Sequence, residues 1–450
     1  MKPETEPGNP QKTMSHPDNP FNEPVPAKPI DRRFVLVAGV TLLASLGSVY
    51  AWSFFTIPLQ QAYHWTNAQI SVVFSLAVAG LGFAALYTGP LVSKLGGRRL
   101  MRRSTLFFVS GYLIAALGLI IGRGTEGQDA MNWVSFIVLA LGYGVIGGIG
   151  LGTGYVTAIS TVAGWFPDRK GFATGLIVMG FGMGALFMSK VFAPFAMQIT
   201  SGSVANSFLL IACTYAVIMG IACRFIYSPH AAVTGKHIAT VGDTYQHATG
   251  VRVRLWLVCF FYSVAGLGII SILSPLMQNL TAAANPGMGS AELAAAGATL
   301  IAIASIGNSA GRLFWAWLSD IVGRVNAFVF LLGSAGITYL IMPHVSSPLL
   351  FSILICYAIA SYGGGFGTIP SLISDLFGPK RMSALHGLVL TGWATAGLTA
   401  PTLFGFMNDR IPDQAANIAF YICAGVLLCS TLIVLTFKRI HKECVVLAPA

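Results

Sequence analysis

Polar and apolar residues along this chain are arranged in blocks. Between Phe34 and Phe437, long apolar runs follow one another, separated by short basic or Gly- and Pro-containing segments. A helix needs about 20 mostly apolar residues to cross about 30 Å of hydrocarbon. Runs of that kind fall at residues 34–59, 67–92, 102–121, 133–160, 171–196, 205–227, 254–280, 292–318, 325–343, 348–373, 384–407 and 416–437. The pattern predicts an all-α membrane protein of twelve transmembrane helices in two six-helix, pseudo-symmetric bundles. Residues 31–228 would form the N-terminal bundle and 252–438 the C-terminal one, joined by a central cytoplasmic linker at 229–251. Residues 1–30 and 439–450 would be cytoplasmic tails. The first tail holds eight prolines and no apolar stretch, which predicts disorder and no signal peptide.

Composition strengthens this reading. Of 450 residues, 55% are apolar and 9% charged, against roughly 25% charged in soluble domains. Lipid must therefore be the main solvent. The net charge of +11 sits in clusters between apolar runs, a topology signal with no stripe for nucleic acid. Placing both termini in the cytoplasm puts nearly every Lys and Arg of the loops inside, leaving Arg123 and Arg410 outside. Lys190 and Arg312 remain within the membrane, whereas all 15 acidic residues fall in tails, loops or helix ends. The seven cysteines lack metal-ligand spacing, and no Walker sequence or nucleophile–base set is present. Neither a cofactor nor a metal is expected, and catalysis has no support.

An internal repeat supports two halves. Gly89-Pro-Leu-Val-Ser-Lys-Leu-Gly-Gly-Arg98-Arg99 after the second run is echoed by Ala316-Trp-Leu-Ser-Asp320-Ile-Val-Gly-Arg324 after the eighth. A glycine turn with basic residues and an acid can dock a loop on a neighbouring helix end, so Gly89, Arg98, Arg99, Asp320 and Arg324 are candidates for a gating latch.

At these residues the sequence resembles the major facilitator superfamily, whose loop signature reads G-x-L-a-D-r-x-G-r-R. Three further segments look like its oxalate/formate antiporter family: Trp165-Phe-Pro-Asp-Arg-Lys-Gly171, Asn308-Ser-Ala-Gly-Arg312 leading into Trp315, and Ser374-Asp-Leu-Phe-Gly378. The resemblance implies alternating access around a central cavity, with an arginine of the eighth span and a lysine of the eleventh holding the carboxylates of oxalate. Arg312 matches the arginine, but Trp393 stands at the lysine position. A dianion would then meet one fixed cation, which points away from oxalate and toward a monocarboxylate of the lactate, pyruvate or formate type. Oxalate/formate-type exchange and carriage of an aromatic acid or drug-like solute are the alternatives. The expected partners are that organic anion, a counter-anion or a proton, and the bilayer of the inner membrane. The chain is expected to act as a monomer.

Arg312 is the sharpest candidate, since an arginine within hydrocarbon costs about 2.5–3.5 kcal/mol on insertion scales and its fork matches a carboxylate. The competing reading has it snorkel to an interface. Asn308 lies one turn away on the same face. Tyr50, Trp52, Tyr155, Tyr362, Phe366 and Trp393 are the aromatic candidates, although membrane aromatics are more often packing residues. The resemblance singles out Tyr155, Tyr362 and Phe366 as cavity aromatics. Lys190 either reaches the outer interface, the favoured reading, or forms a second anion site. Glycines at 144, 148 and 152, and at 175, 180, 182 and 184, are expected to let helices approach closely. No Asp, Glu or His lies deep in a run, so a proton relay is not built in.

Overall fold

The computed structural model describes residues 31–122, 129–166, 170–227, 249–377 and 379–446. The expected tail 1–30 and nearly all of the linker 229–251 lie outside them. Every element among the described residues is helical. The helical rods are α1 (Arg32–Tyr63), α2 (Asn67–Leu91), α3 (Gly97–Ile121), α4 (Asn132–Val162), α5 (Gly175–Ile199) and α6 (Val204–Ala222). The second set comprises α7 (Thr249–Ala284), α8 (Ser290–Val322), α9 (Arg324–His344), α10 (Pro348–Phe377), α11 (Pro379–Arg410) and α12 (Pro412–Phe437). Most rods overrun the predicted spans, because the hydrocarbon thickness limits only the apolar stretch and a helix can continue into the interface. The helix of α12 runs on to Val446, into the expected tail.

Eleven rods are long and apolar enough to cross a membrane; α11 is long enough but more polar. Its threonines are tolerated because their hydroxyls bond back to the helix. Thr395 Oγ1 donates to Thr391 O at 2.8 Å, Thr399 Oγ1 to Thr395 O at 3.0 Å and Thr402 Oγ1 to Leu398 O at 3.2 Å. Such bonds hide the donors that lipid cannot satisfy.

The expected glycine faces are real packing surfaces. A Cβ on Gly144, Gly148 or Gly152 would press on Leu76, Ala77 or Leu81, so α4 lies against α2. Gly180 and Gly184 do the same for α5 against Val40 and Ala44 of α1, and Gly182 seats α5 on Ser309 of α8. Gly175 differs, with only ordinary contact to Leu313. The repeat is visible in the backbone too: Gly96 (φ 79°) and Gly323 (φ 86°) make the same left-handed turn before α3 and α9. Only glycine adopts it without strain. Gly89 does not have this role. Its backbone is helical, and a Cβ there would meet just one ordinary neighbour, Val156.

The two halves meet along α2 with α11, α5 with α8, and the second part of α1 with α7. At the end opposite the basic loops, Asp409 of α11 closes the seam. Its carboxylate accepts from Asn67 N (2.9 Å), Asn67 Nδ2 (2.9 Å) and Ala68 N (2.8 Å) at the start of α2. Gln69 N is taken by Thr66 Oγ1 at 3.2 Å, within a capping box. An α-helix begins with unpaired N–H groups and a partial positive charge, and here a carboxylate from the other half supplies the cap. Ser75 and Thr402 hydroxyls add a rung at 2.9 Å.

Asp409→Ala is expected to loosen this end. Labelling of a Ser71→Cys reporter by a membrane-impermeant maleimide should rise several-fold in the Asp409→Ala background; unchanged labelling would show that the carboxylate does not hold the seam.

Candidate functional site

One face of α8 carries Ser305, Asn308, Ser309 and Arg312 at helical spacing, all buried. Its backbone can sit deep because its neighbours lack side chains where they touch it. Gly363 of α10 faces Asn308, Gly367 faces the Arg312 backbone, and Gly182 of α5 faces Ser309. Hydroxyls then tie α8 to the α5 backbone: Ser305 Oγ donates to Gly182 O and accepts from Leu186 N (3.1 Å), and Ser309 Oγ donates to Met179 O (3.2 Å). Arg312 is thus held between the halves on a rigid helix–helix seam.

Arg312 is 3% exposed. Its Nη1 donates to Val178 O of α5 at 2.8 Å, and its Nε reaches Asn308 Oδ1 at 3.4 Å. The guanidinium carbon lies 5.8 Å from the Phe181 ring centroid and 5.6 Å from that of Phe366. A ring face attracts a cation. Among the described residues no carboxylate comes within ion-pair distance of it. A carbonyl, an amide oxygen and two rings partly solvate the charge, but none neutralises it.

Around the guanidinium lies a small hollow, walled by Tyr50, Tyr155, Phe181, Phe366, Trp393 and the aliphatic Leu81 and Leu390. Both halves contribute. Trp393 Nε1 donates to Tyr362 Oη at 2.8 Å, and the Tyr362 and Tyr50 hydroxyls are 3.4 Å apart, so one hydrogen-bonded string runs from α11 through α10 to α1. Phe181 meets Tyr50 edge-on at 5.3 Å and Tyr155 at 5.2 Å; Phe366 meets Tyr362 at 5.3 Å and Trp393 at 6.0 Å in the same manner. Tyr50 and Tyr155 stand close enough to feel the Arg312 charge. The arrangement offers one fixed cation, hydroxyls and aromatic walls, a setting suited to one carboxylate and a short organic body.

The structure therefore gathers Arg312, Asn308, Tyr50, Tyr155, Tyr362, Phe366 and Trp393. Trp52 is not with them. Its indole donates to Ile70 O at 3.1 Å and packs on Tyr143 (4.5 Å), so it belongs to the core of the N-terminal half. Trp52 lies two residues from Tyr50 within a 3₁₀ stretch, Ser48–Phe55, so the two point to different sides. Lys190 is also elsewhere: it is exposed and donates to Thr299 Oγ1 of α8 at 2.6 Å, and it does not line the hollow.

The loop residues divide likewise. Arg324 pairs with Asp320 (2.5 Å) and Asp375 (3.5 Å) and donates to Ser319, binding the ends of α8, α9 and α10 together. All three helices belong to the C-terminal half, so this cluster braces one half and does not join two; Asp409, at the opposite end, is a carboxylate that spans the seam. In the first copy Arg98 stacks on Tyr227 at 4.4 Å, while Arg99 lies half-buried at the start of α3. Phe181 and Val178 were not foreseen. The available signal was Phe181 as a large residue between Gly180 and Gly182.

Comparison with known proteins agrees with this architecture. The Major Facilitator Superfamily profile matches residues 37–401 and 270–444. The chain belongs to this family, whose members are transporters and not enzymes. It is 24% identical over 373 residues to the uncharacterized MFS-type transporter YhjX of Escherichia coli, covering 82% of this chain and 86% of the relative. It is 24% identical over 380 residues to the oxalate:formate antiporter of Oxalobacter formigenes (82% and 83%), and 22% identical over 405 residues to monocarboxylate transporter 13 of Rattus norvegicus (87% and 85%). A partially occluded, inward-open structure of the xylose transporter XylE from E. coli superposes with a TM-score of 0.69 at 13% identity, over 90% of this chain and 97% of that one. It shares the fold.

Gly363→Ala would set a methyl against both the backbone and the side-chain oxygen of Asn308. We expect a loss of about 1–3 kcal/mol from overpacking, seen as a lower unfolding midpoint; an unchanged midpoint would show that the α8–α10 seam is looser than described.

Proposed function

We propose that this member of the Major Facilitator Superfamily is a secondary carrier of a small organic anion, a short monocarboxylate of the lactate, pyruvate or formate type, working by alternating access in the inner membrane with both termini in the cytoplasm. The observation that carries the reading is Arg312, a buried cation on the seam with no carboxylate among its described neighbours. An anionic guest supplies the missing charge. Its carboxylate takes the remaining N–H donors of the fork and the Tyr50 and Tyr155 hydroxyls, while Phe181, Phe366 and Trp393 enclose the carbon body. The names of two relatives, an oxalate:formate antiporter and a monocarboxylate transporter, support the substrate class. Between them, the single cation favours the monocarboxylate. Trp393, whose N–H is spent on Tyr362, offers no second positive charge for a dianion.

The same residue links binding to movement. Because Nη1 holds Val178 O across the seam, a carboxylate competing for that donor alters the attraction between halves, and a ligand shifts a conformational equilibrium only through such differential contacts. The hollow itself carries no Asp, Glu or His, so anion exchange or uniport needs no proton relay.

Arg312→Ala in proteoliposomes is expected to abolish uptake of labelled lactate and pyruvate while the variant elutes as a folded species, and Arg312→Lys should retain a small fraction; undiminished uptake by Arg312→Ala would discard the site. Exchange of labelled against unlabelled anion should proceed without net proton movement across the vesicle membrane. Uptake strictly requiring an inward proton gradient would contradict anion exchange and uniport.

A further inference from the structure

The hydroxyl string that crosses the bundle has a donor-only group at each end. An indole N–H donates and does not accept, and a guanidinium does the same, whereas a tyrosine hydroxyl holds one proton and two lone pairs. Trp393 Nε1 donates to Tyr362 Oη at 2.8 Å, Tyr362 Oη stands 3.4 Å from Tyr50 Oη, and Tyr50 lies beside Arg312. The link between the two hydroxyls uses one of their protons. The other has no protein acceptor among the described residues.

That surplus proton has two placements. With Tyr50 as the donor of the link, the spare O–H belongs to Tyr362, which is buried and does not line the hollow at Arg312. Its ring is clamped: a Cβ on Gly266 of α7 would overlap it, and Phe366 meets it edge-on at 5.3 Å. A donor held there is left unbonded, which is costly for a buried polar group. With Tyr362 as the donor, the spare O–H belongs to Tyr50, which does line the hollow. The Tyr50 oxygen then faces two donors, Tyr362 and Arg312, and its proton turns toward the space a guest would occupy. Hydrogen bonds aligned head to tail also strengthen one another.

Resting on the carboxylate reading of Arg312, we infer that Tyr362 is a positioning residue: its hydroxyl accepts the Trp393 N–H and donates its own hydrogen bond to Tyr50, which leaves the Tyr50 O–H as a directed donor to the bound anion. Tyr362 stays out of contact with the guest, in contrast to the cavity role the resemblance implied for it. The string holds three donors and two links, and an acceptor-only guest completes it. Trp393 has two parts in this, since its ring walls the hollow and its N–H sets the direction of the string. A guest that presents a donor at this point, such as the N–H of a neutral carboxamide, meets the Tyr50 proton head-on and gains no bond from it.

The test is the KM for labelled pyruvate in proteoliposomes of the full chain, measured for Tyr50→Phe, Tyr362→Phe and the double variant. Loss of a hydrogen bond to a charged guest should raise KM about tenfold or more in Tyr50→Phe. Loss of its orientation alone should raise KM about threefold in Tyr362→Phe, and the double variant should match Tyr50→Phe. Equal effects of the two single variants would reveal a mere brace between α1 and α10. Multiplied effects in the double variant would mean that Tyr362 touches the guest itself, and an unchanged KM in Tyr362→Phe would mean no coupling. Each of these three results overturns the inference while leaving an anion site at Arg312. Where Tyr362→Phe does not fold, Trp393→Phe decides: it should raise KM in the wild-type background and add nothing to Tyr50→Phe, whereas the same rise in both backgrounds would overturn the inference. If the wild-type chain takes up no pyruvate, or Arg312→Ala takes it up undiminished, the carboxylate reading fails and the role of Tyr362 fails with it.

Discussion

A positive charge enclosed in an oily seam without a balancing carboxylate is the condition to which the surrounding structure is fitted. Arg312 can be carried there because α8 lies against glycines of α5 and α10. It can be kept there because Val178 O, Asn308 Oδ1 and two ring faces replace part of its hydration. The remaining deficit is what a mobile anion would fill on the proposed reading. A resident aspartate would have made the site more stable and of no use for capturing a carboxylate.

Among the described residues, the two ends of the bundle carry different contacts. At the basic end, Arg324 gathers Asp320 and Asp375 inside the C-terminal half, which stiffens that half as a body. At the opposite end, Asp409 caps the first turn of α2 across the seam. Rocking of one half against the other would break the second kind of contact and spare the first. Between the ends, the Trp393–Tyr362–Tyr50 string crosses the middle of the bundle through neutral hydroxyls. Neutral bonds of this sort exchange partners at little net cost, in keeping with a surface that has to part and close.

Much of this was legible in the sequence, for physical reasons. Lipid demands long apolar runs and punishes stray charge, so block pattern and charge placement announced the helices and isolated Arg312. Glycine spacing announced the helix contacts of α4 and α5. What sequence could not resolve was direction within a helix. Tyr50 and Trp52 are near neighbours in chain and chemistry, yet the 3₁₀ stretch at Ser48–Phe55 turns one into the cavity and the other onto Tyr143. Gly89 stood in the signature, but the left-handed turn falls at Gly96. Asp409 reads as an ordinary loop acid until α2 and α11 are seen side by side.

The most direct measurement is to locate a bromine-labelled monocarboxylate, 3-bromopropionate, bound to the protein by its anomalous X-ray signal. The account predicts the carboxylate within hydrogen-bonding distance of Arg312 and the bromine against the wall of Phe181, Phe366 and Trp393. A bound molecule elsewhere, with the guanidinium untouched by it, would contradict the account and leave the scaffold without an assigned site.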